Sequence, residues 1–351
     1  MASYPLVTVG MAVYNGEKYI AEAISSVLAE TYANWELLLV NDRSPDSSVD
    51  VIRQFTDPRI RLIENETNLG LVGVRNRILE EASGTYVAWL DQDDLTLPAR
   101  LTAQVAFLEA NPDYAMCGSW TETRIESLDG SVRTAIERLP RSHDEIRAAL
   151  LFLNPIACNT ATMRRADFLS RGLLFRPAFG NSLDYDMWSL ASDDMLLCNL
   201  PQVLGAYRVH ASQTSQGAAL AKMNDHEIQI QSDLAARALG LEMTDEDRRV
   251  HRLATLFPIL VDAPEDIDRV AQWFARLRSA NQVQHGFEVA CFDRALARQW
   301  TSVVLGALGS GASLASVVAK AYAGLGTIGI SKRALGSSLS EGVRRRLARR
   351  G

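Results

Sequence analysis

Residues 6–118 switch repeatedly between two hydrophobic periods, and this alternation constrains the fold more than any other feature of the chain. "LVTVGMAV" (6–13) is a continuous apolar run of strand length. "GEKYIAEAISSVLAETY" (16–32) instead places Ile20, Ala23, Ile24, Val27 and Leu28 on one helical face. "WELLLVN" (35–41) reads as the next strand. "SPDSSVDVIRQF" (44–55) reads as a short helix, with Ser44 as its N-cap and Pro45 at its first position. The alternation continues through "RIRLIEN", "GLVGVRNRILEEA", "TYVAWL", "LPARLTAQVAFLEAN" and "YAMCGS". Strands separated by single helices predict an α/β domain, with a mainly parallel sheet flanked by helices. In such sheets ligands bind beyond the carboxyl ends of the strands.

One strand runs directly into charge. "TYVAWLDQDD" (85–94) ends on Asp91, Asp93 and Asp94, three carboxylates that repel one another unless water or a cation intervenes. A carboxylate cluster at a strand end suits a hard divalent cation, which takes oxygen ligands and keeps substrate phosphates in its shell. The same spacing in Asp184-Tyr185-Asp186 opens a helix, where acids favour the dipole, and Asp266-Ile267-Asp268 lies in a helical, solvated stretch. On the same expected rim, Tyr14 stands beside Asn15-Gly16 as a surface for a base to stack on. Asp42 in "VNDRSPD" (40–46) offers an acceptor, and "NLGLVGVRN" (68–76) turns into a helix carrying Arg75. Core burial of Tyr14 and a surface ion pair for Arg75 are the competing readings.

Beyond residue 119 the pattern changes to a hairpin around Asp129-Gly130, a helix at 141–152, a helix at 184–192 and a strand with a polar loop at 203–215. From about 218 onward the chain reads as helix, so a boundary is expected near 217. The stretch 301–330, rich in Gly, Ala and Ser and broken by Lys320, reads as packed or surface-lying helices rather than a membrane span. A net charge of −6 argues against a general nucleic-acid partner. The exception is "RRRLARR" (344–350), either a solvated helix end or a contact for an anionic membrane surface or acidic partner. Cysteines 117, 158, 198 and 291 show neither CxxC nor Cys/His clustering, which fits reduced thiols in a cytoplasmic protein. The amino-terminal residues carry no signal-peptide pattern.

Taken in order, "VTVGMAVYNGEKYIAEAISSVLAETYANWELLLVNDRSPDSS", "DPRI", "NLGLVGVRN", "GTYVAWLDQDDLTLPARL", "LDYDMW" and "YRVH" resemble the glycosyltransferase family 2 enzymes over roughly residues 5–215. The resemblance implies a GT-A fold in residues 1–217, Rossmann-like with flanking helices. A C-terminal α-helical region, 218–351, would serve acceptor binding, oligomerisation or membrane-surface contact. It implies an inverting transfer from a nucleoside-diphosphate sugar, with a UDP-sugar favoured, assisted by Mn²⁺ or Mg²⁺. The acceptor would be a carbohydrate, lipid-linked or protein hydroxyl in surface polysaccharide or glycoconjugate synthesis, and the location cytoplasmic or peripheral at the inner membrane face.

Carried onto this sequence, Ala12 and Tyr14 would border the base, Asp42 would accept from its N–H and Arg75 would approach base or diphosphate. Asp93 would lie near ribose and metal, Asp94 would be the foremost metal ligand and Asp91 would support the loop. Asp184 matches the acidic catalytic base, with Gly180 in the loop before it and Asp186 as the fallback. His210 matches a histidine that completes the metal site. Three positions depart from the pattern: Asn41 and Arg43 in "NDRS" replace an acid and a glycine, and Leu183 stands where an acid is usual.

Three other readings compete. A dinucleotide enzyme would use "GLGTIG" (324–329), which follows a helical stretch rather than a strand. A nucleotidyltransferase would want a Gly/Lys/Arg-rich phosphate loop after the first strand, and "AVYNGEKY" is a poor one. A non-catalytic sugar-nucleotide-binding protein would be expected to lose the acids that are present here.

Overall fold

The structure is a computed structural model that describes residues 4–126, 131–210, 213, 218–255, 264–309 and 314–330. Two compact units emerge: Met1–His143 with Pro155–Met223, and Asp144–Asn154 with Asn224–Gly351.

The first unit carries the alternation read from the sequence. In chain order it contains β1 (Val7–Val13), α1 (Ile20–Leu28), β2 (Trp35–Asn41), α2 (Ser48–Ile52), β3 (Ile60–Glu64), α3 (Gly70–Glu81), β4 (Tyr86–Trp89), β5 (Leu95–Thr96) and α4 (Arg100–Ala110). The long β6 (Tyr114–Glu126) and β7 (Val132–Glu137) form the expected hairpin, whose Asp129-Gly130 turn lies outside the described residues. After α5 (His143–Leu150), which belongs to the second unit, the first unit continues with β8 (Thr162–Arg164), α6 (Arg165–Ser170), α7 (Leu183–Ala191) and β9 (Leu196–Val209).

The sheet order is β3-β2-β1-β4-β8-β6-β9-β5, with β7 added on β6. From β3 through β4 the strands are parallel, as the βα rhythm requires. Beyond β4 the sheet is mixed, because β8 runs antiparallel to both β4 and β6. The two reversals cancel, so β9, parallel to β6, ends on the same rim as β4. This brings residue 210 to the rim that carries residues 91–94.

Val7, Val9, Met11 and Val13 of β1 pack with Leu37 and Leu39 of β2 against the Ile20, Ala23, Ile24 and Val27 face of α1. Burial of four such side chains contributes on the order of 6–12 kcal/mol before chain entropy is counted. Across the sheet α3 lies close at Gly10, where a Cβ would come within 2.5 Å of Ile78 Cγ2. The absent side chain is what lets α3 settle on β1.

The short second helix corrects the expected cap. Helix α2 starts at Ser48, not after Ser44, and Pro45 lies before it. Ser44 Oγ instead accepts the Asn15 N–H at 3.2 Å, and the Asp46 carboxylate accepts the Ser48 N–H at 3.1 Å. Local capping chemistry lost to a contact 29 residues away.

The second unit is helical: α5, α8 (Ala218–Leu239) from Asn224 onward, α9 (Asp245–Thr255), α10 (Pro264–Gln284), α11 (Val289–Gly309) and α12 (Leu314–Ile328). "GLGTIG" falls at the end of α12, away from any βα turn. Among the described residues no helix is long and apolar enough to cross a membrane.

At the heart of this unit His251, fully buried, donates from Nε2 to the Leu151 carbonyl at 2.9 Å and accepts at Nδ1 from Trp273 Nε1–H at 2.9 Å. A second ring proton would meet the indole N–H head-on. Burial accordingly depresses the His251 pKa to about 4, only partly opposed by the Leu151 carbonyl.

A histidine depressed in the fold supports stability fully above its unfolded pKa, and that support is lost as pH falls from about 6.5 towards 4. The loss amounts to about 2 kcal/mol at pH 5. Urea unfolding of the wild type and His251→Gln at pH 7 and pH 5 is expected to show their stability difference shrinking by that amount. An unchanged difference would mean that His251 does not titrate as described.

Candidate active site

Because β1, β2 and β4 are parallel neighbours, the segments leaving their carboxyl ends share one rim. Side chains tie these segments together. Gln92 holds Tyr14 by two hydrogen bonds, donating from Nε2 to its carbonyl at 2.8 Å and accepting its N–H at 3.0 Å. Ser48 Oγ accepts the Gly16 N–H at 2.8 Å. Gly16 lies so close under Gln92 that a Cβ would stand 2.3 Å from Oε1. Asn15 and Arg43 take positive φ, 53° and 60°, in the left-handed region that glycine adopts more readily. Arg43 therefore keeps the backbone conformation suited to the glycine it replaces in the family pattern. Ala12 is half-buried in β1, and the Tyr14 side chain is exposed, not core.

Asp42 is almost wholly buried, and its carboxylate accepts from three protein donors: Asn65 Nδ2 at 2.7 Å, Leu69 N–H at 2.8 Å and Gly70 N–H at 2.8 Å. Helix α3 has no cap of its own, so Asp42 caps it from the neighbouring strand. This fixes where α3 begins and hence where Arg75 points. Arg75, itself buried, donates from Nη2 to Asp91 Oδ1 at 2.6 Å and from Nη1 to Cys158 Sγ. Its guanidinium lies over the Trp89 ring at 5.3 Å, so it is no surface partner. Burial works against its charge, but the Cys158 sulfur, Asp91 and Asp184 outweigh burial and raise its pKa.

The three aspartates occupy different environments. Asp91 pairs with Arg75 and is the most exposed of them. Asp93 Oδ2 stands 3.0 Å from His210 Nε2. Asp94 is 1% exposed; its Oδ1 accepts the Arg208 N–H at 2.8 Å, while its buried Oδ2 makes no full hydrogen bond, although the equally unpaired Asn159 amide lies near enough to favour the charged carboxylate. Burial, then Asp91, pushes the Asp93 carboxyl up, with His210 opposing. Burial, then Asp91 and Asp93, pushes Asp94 well above the carboxylate range. Leaving a buried acceptor unpaired costs about 1–3 kcal/mol, so Asp94 Oδ2 is the atom at this rim with most to gain from a cation.

Residues that sequence reasoning did not single out hold this arrangement. The Tyr19 ring packs on His210 with centroids 4.5 Å apart, and the Arg208 guanidinium lies 4.6 Å from the same ring. Arg208 reaches Glu22 at 2.8 Å and Glu126 at 3.4 Å. Arg100, fully buried beneath the strand end, donates to the Trp89 and Ala161 carbonyls at 2.9 and 3.2 Å. Asn76 makes a two-bond clasp on the Phe175 backbone, both bonds 2.9 Å, joining α3 to the segment that leads into α7. Gln92 and Arg208 stand inside recognisable motifs; their partners lie 78 and 114 residues away, beyond any local signal.

Asp184 is half-buried in the first turn of α7 and close enough to Arg75 and Cys158 to influence both electrostatically. Gly180, just before it, has φ 46°. Asp186, on the same helix, is buried and held by Arg176, whose Nε donates to Oδ2 at 2.8 Å. Asp186 is thus committed to an ion pair.

The description "Glycosyl transferase family 2" matches residues 8–173. Over 214 residues the chain is 33% identical to the UDP-Glc:alpha-D-GlcNAc-diphosphoundecaprenol beta-1,3-glucosyltransferase WfgD of Escherichia coli, which spans 60% of this chain and 79% of that one. The chain belongs to glycosyltransferase family 2. Two solved structures share the fold of this glycosyltransferase. One is S. aureus TarS 1-349 in complex with UDP-GlcNAc, 16% identical, with TM-score 0.53 over 87% of this chain and 89% of that one. The other is the mannosyltransferase PcManGT from Pyrobaculum calidifontis in complex with GDP-Man and Mn²⁺, 16% identical, with TM-score 0.50 over 96% and 84%.

Among the described residues of this family 2 enzyme, no three Cys, His, Asp or Glu side chains converge into a ready-made cation cage. Asp93 and His210 meet, whereas the one hydrogen-bonded oxygen of Asp94 is turned to the Arg208 backbone. A site completed by substrate phosphates needs only one or two carboxylates from the protein. The orphaned oxygen of Asp94 beside the Asp93–His210 pair fits that kind of site.

The Gln92 clasp generates a test. Gly16→Ala is expected to displace Gln92, lowering stability by about 1–3 kcal/mol. In a double-mutant cycle with Gln92→Ala, the two losses are expected to be less than additive by at least 0.5 kcal/mol. Full additivity would show that the two sites act separately.

Proposed function

We propose that this enzyme is an inverting, divalent-metal-dependent glycosyltransferase that moves a sugar from a UDP-sugar to an acceptor hydroxyl. One observation carries the reading: a buried, half-satisfied Asp94 carboxylate at the end of a parallel strand, beside the Asp93–His210 pair. Tyr14 and Ala12 would border the base, and Asp42, whose carboxylate anchors α3, would lie at the base's edge. Arg75 would hold the loop of Asp91 against the diphosphate side of the site. Asp93, Asp94 and His210 would hold Mn²⁺ or Mg²⁺ together with the donor's phosphates. When bound, the cation neutralises charge that develops on the leaving nucleoside diphosphate.

Asp184 is assigned the role of base. Its carboxylate takes the proton of the acceptor hydroxyl as the oxygen attacks the anomeric carbon and the bond to the diphosphate oxygen breaks. One displacement from the opposite face inverts the anomeric centre. The ion pair with Arg176 counts against Asp186 in this role. The name of the E. coli relative, which uses UDP-Glc and a lipid-diphosphate-linked sugar, supports a UDP-sugar donor and a place in surface polysaccharide synthesis.

Raised carboxyl pKa values at Asp93 and Asp94 mean that the folded protein holds these protons tightly. Their contribution to stability is therefore present below the ordinary carboxylate pKa and is lost as pH rises from there through their raised values, where a bound cation would take the proton's place. Thermal shifts with UDP-, GDP- and dTDP-sugars, with and without Mn²⁺, are expected to show stabilisation by UDP-sugar that needs the metal. Asp94→Asn is expected to abolish the metal's effect. Asp184→Asn is expected to keep it while transfer falls by about 10²–10⁴-fold. Stabilisation by no nucleotide, or full transfer by Asp184→Asn, would defeat the respective assignment.

A further inference from the structure

The outer edge of β7 is open. Strand β7 pairs with β6 and with no other strand among the described residues. Alternate residues of a strand turn their N–H and C=O groups to opposite sides, so half of β7 offers its backbone to a further strand. Val132 and Ile136, four residues apart and so on one face, are 54% and 50% exposed. An uncovered edge with apolar side chains is a template for another chain unless its charges forbid the pairing.

The charges of β7 indicate the partner. Arg133 and Glu137 stand on the opposite face, two residues either side of Ala135. Both are exposed, and neither forms an ion pair among the described residues. In a two-fold contact residue i of one copy meets residue j of the other, and j meets i. With the axis at Ala135, antiparallel pairing of two β7 strands sets Arg133 opposite Glu137 at both ends. Opposite charges directly across such a pair stabilise it, and like charges would repel. On the other face Thr134 meets Ile136, with Val132 of each copy diagonal to Ile136 of its partner. Ala135, small and half-buried, puts no bulk at the axis. An unrelated extended segment could use the same backbone edge but would have no need of charges placed symmetrically about one residue.

We propose that the β7 edge is a docking surface for a second copy of this chain, the two β7 strands pairing antiparallel about Ala135. Backbone hydrogen bonds supply the attachment, and the two Arg133–Glu137 pairs select this register and this partner. The proposal stands on the first unit alone and does not depend on the donor, the metal or the base assigned above.

The test is sedimentation velocity of the full chain over a range of concentrations. The wild type is expected to form a dimer that dissociates on dilution. Arg133→Glu sets two acids against each other at both ends and is expected to raise the dissociation constant at least about 10-fold. Glu137→Arg is expected to act alike, and the two changes together are expected to restore the dimer, because each pair is then reversed in both copies. These positions are exposed, so an unchanged thermal transition of the dilute, monomeric protein serves as the folding control. Ala135→Cys is expected to cross-link the copies under mild oxidation, which the wild type does not do. Residues directly opposite in an antiparallel pair have Cα atoms about 4.5–5.5 Å apart, within disulfide reach. A monomer at every concentration, a dimer untouched by Arg133→Glu, a charge swap that fails to restore it, or no cross-link through Ala135→Cys would overturn the proposal.

Discussion

The site depends on the burial of negative charge at the end of β4. Asp93 and Asp94 are drawn out of water within a few residues of Asp91, and burial and mutual repulsion raise both their pKa values. Such an arrangement persists only when the surroundings hold it in place. Arg75 takes Asp91, His210 takes Asp93 and the Arg208 backbone takes half of Asp94. Below them Arg100 is stripped of water, which lowers its pKa to about 10, and it grips the carbonyls from which the acidic segment departs. One oxygen of Asp94 is left without a full hydrogen bond.

The other rim segments serve this strand end. Gln92, between the acids, grips Tyr14, and Ser44 and Ser48 grip the backbone that follows it. Asp42 caps α3 and so aims Arg75 at Asp91, while Asn76 on the same helix fastens the approach to Asp184. The Arg75–Asp91 pair and the approach to Asp184 are thus linked through one helix, and a shift at α3 would reach both.

Much of the first unit was legible because its strands and helices bury faces of different period, which the residues from Val7 to Leu108 display without interruption. The acidic motif was legible because it follows a strand that has no polar residue to dilute the signal. The cap at Ser44 was misjudged, because a hydroxyl suited to a helix start served a distant backbone N–H instead. The roles of Gln92, Arg100 and Tyr19 were not legible, since each acts on a partner brought near only by folding. The Arg176 ion pair at Asp186, the residue read as the fallback to Asp184, was likewise invisible until the chain folded.

The sequence by itself determined the class of fold, the rim where chemistry would gather and the residue types that would gather there. Periodicity and strand-end placement are local properties, and local properties survive without coordinates. Only the tertiary structure decided which acid meets which partner. That outcome rests on two antiparallel reversals through β8 that return β9 to the rim of β4, so that His210 faces Asp93 across 117 residues of chain. No periodicity records such a return, because it is a property of strand order rather than of any one segment.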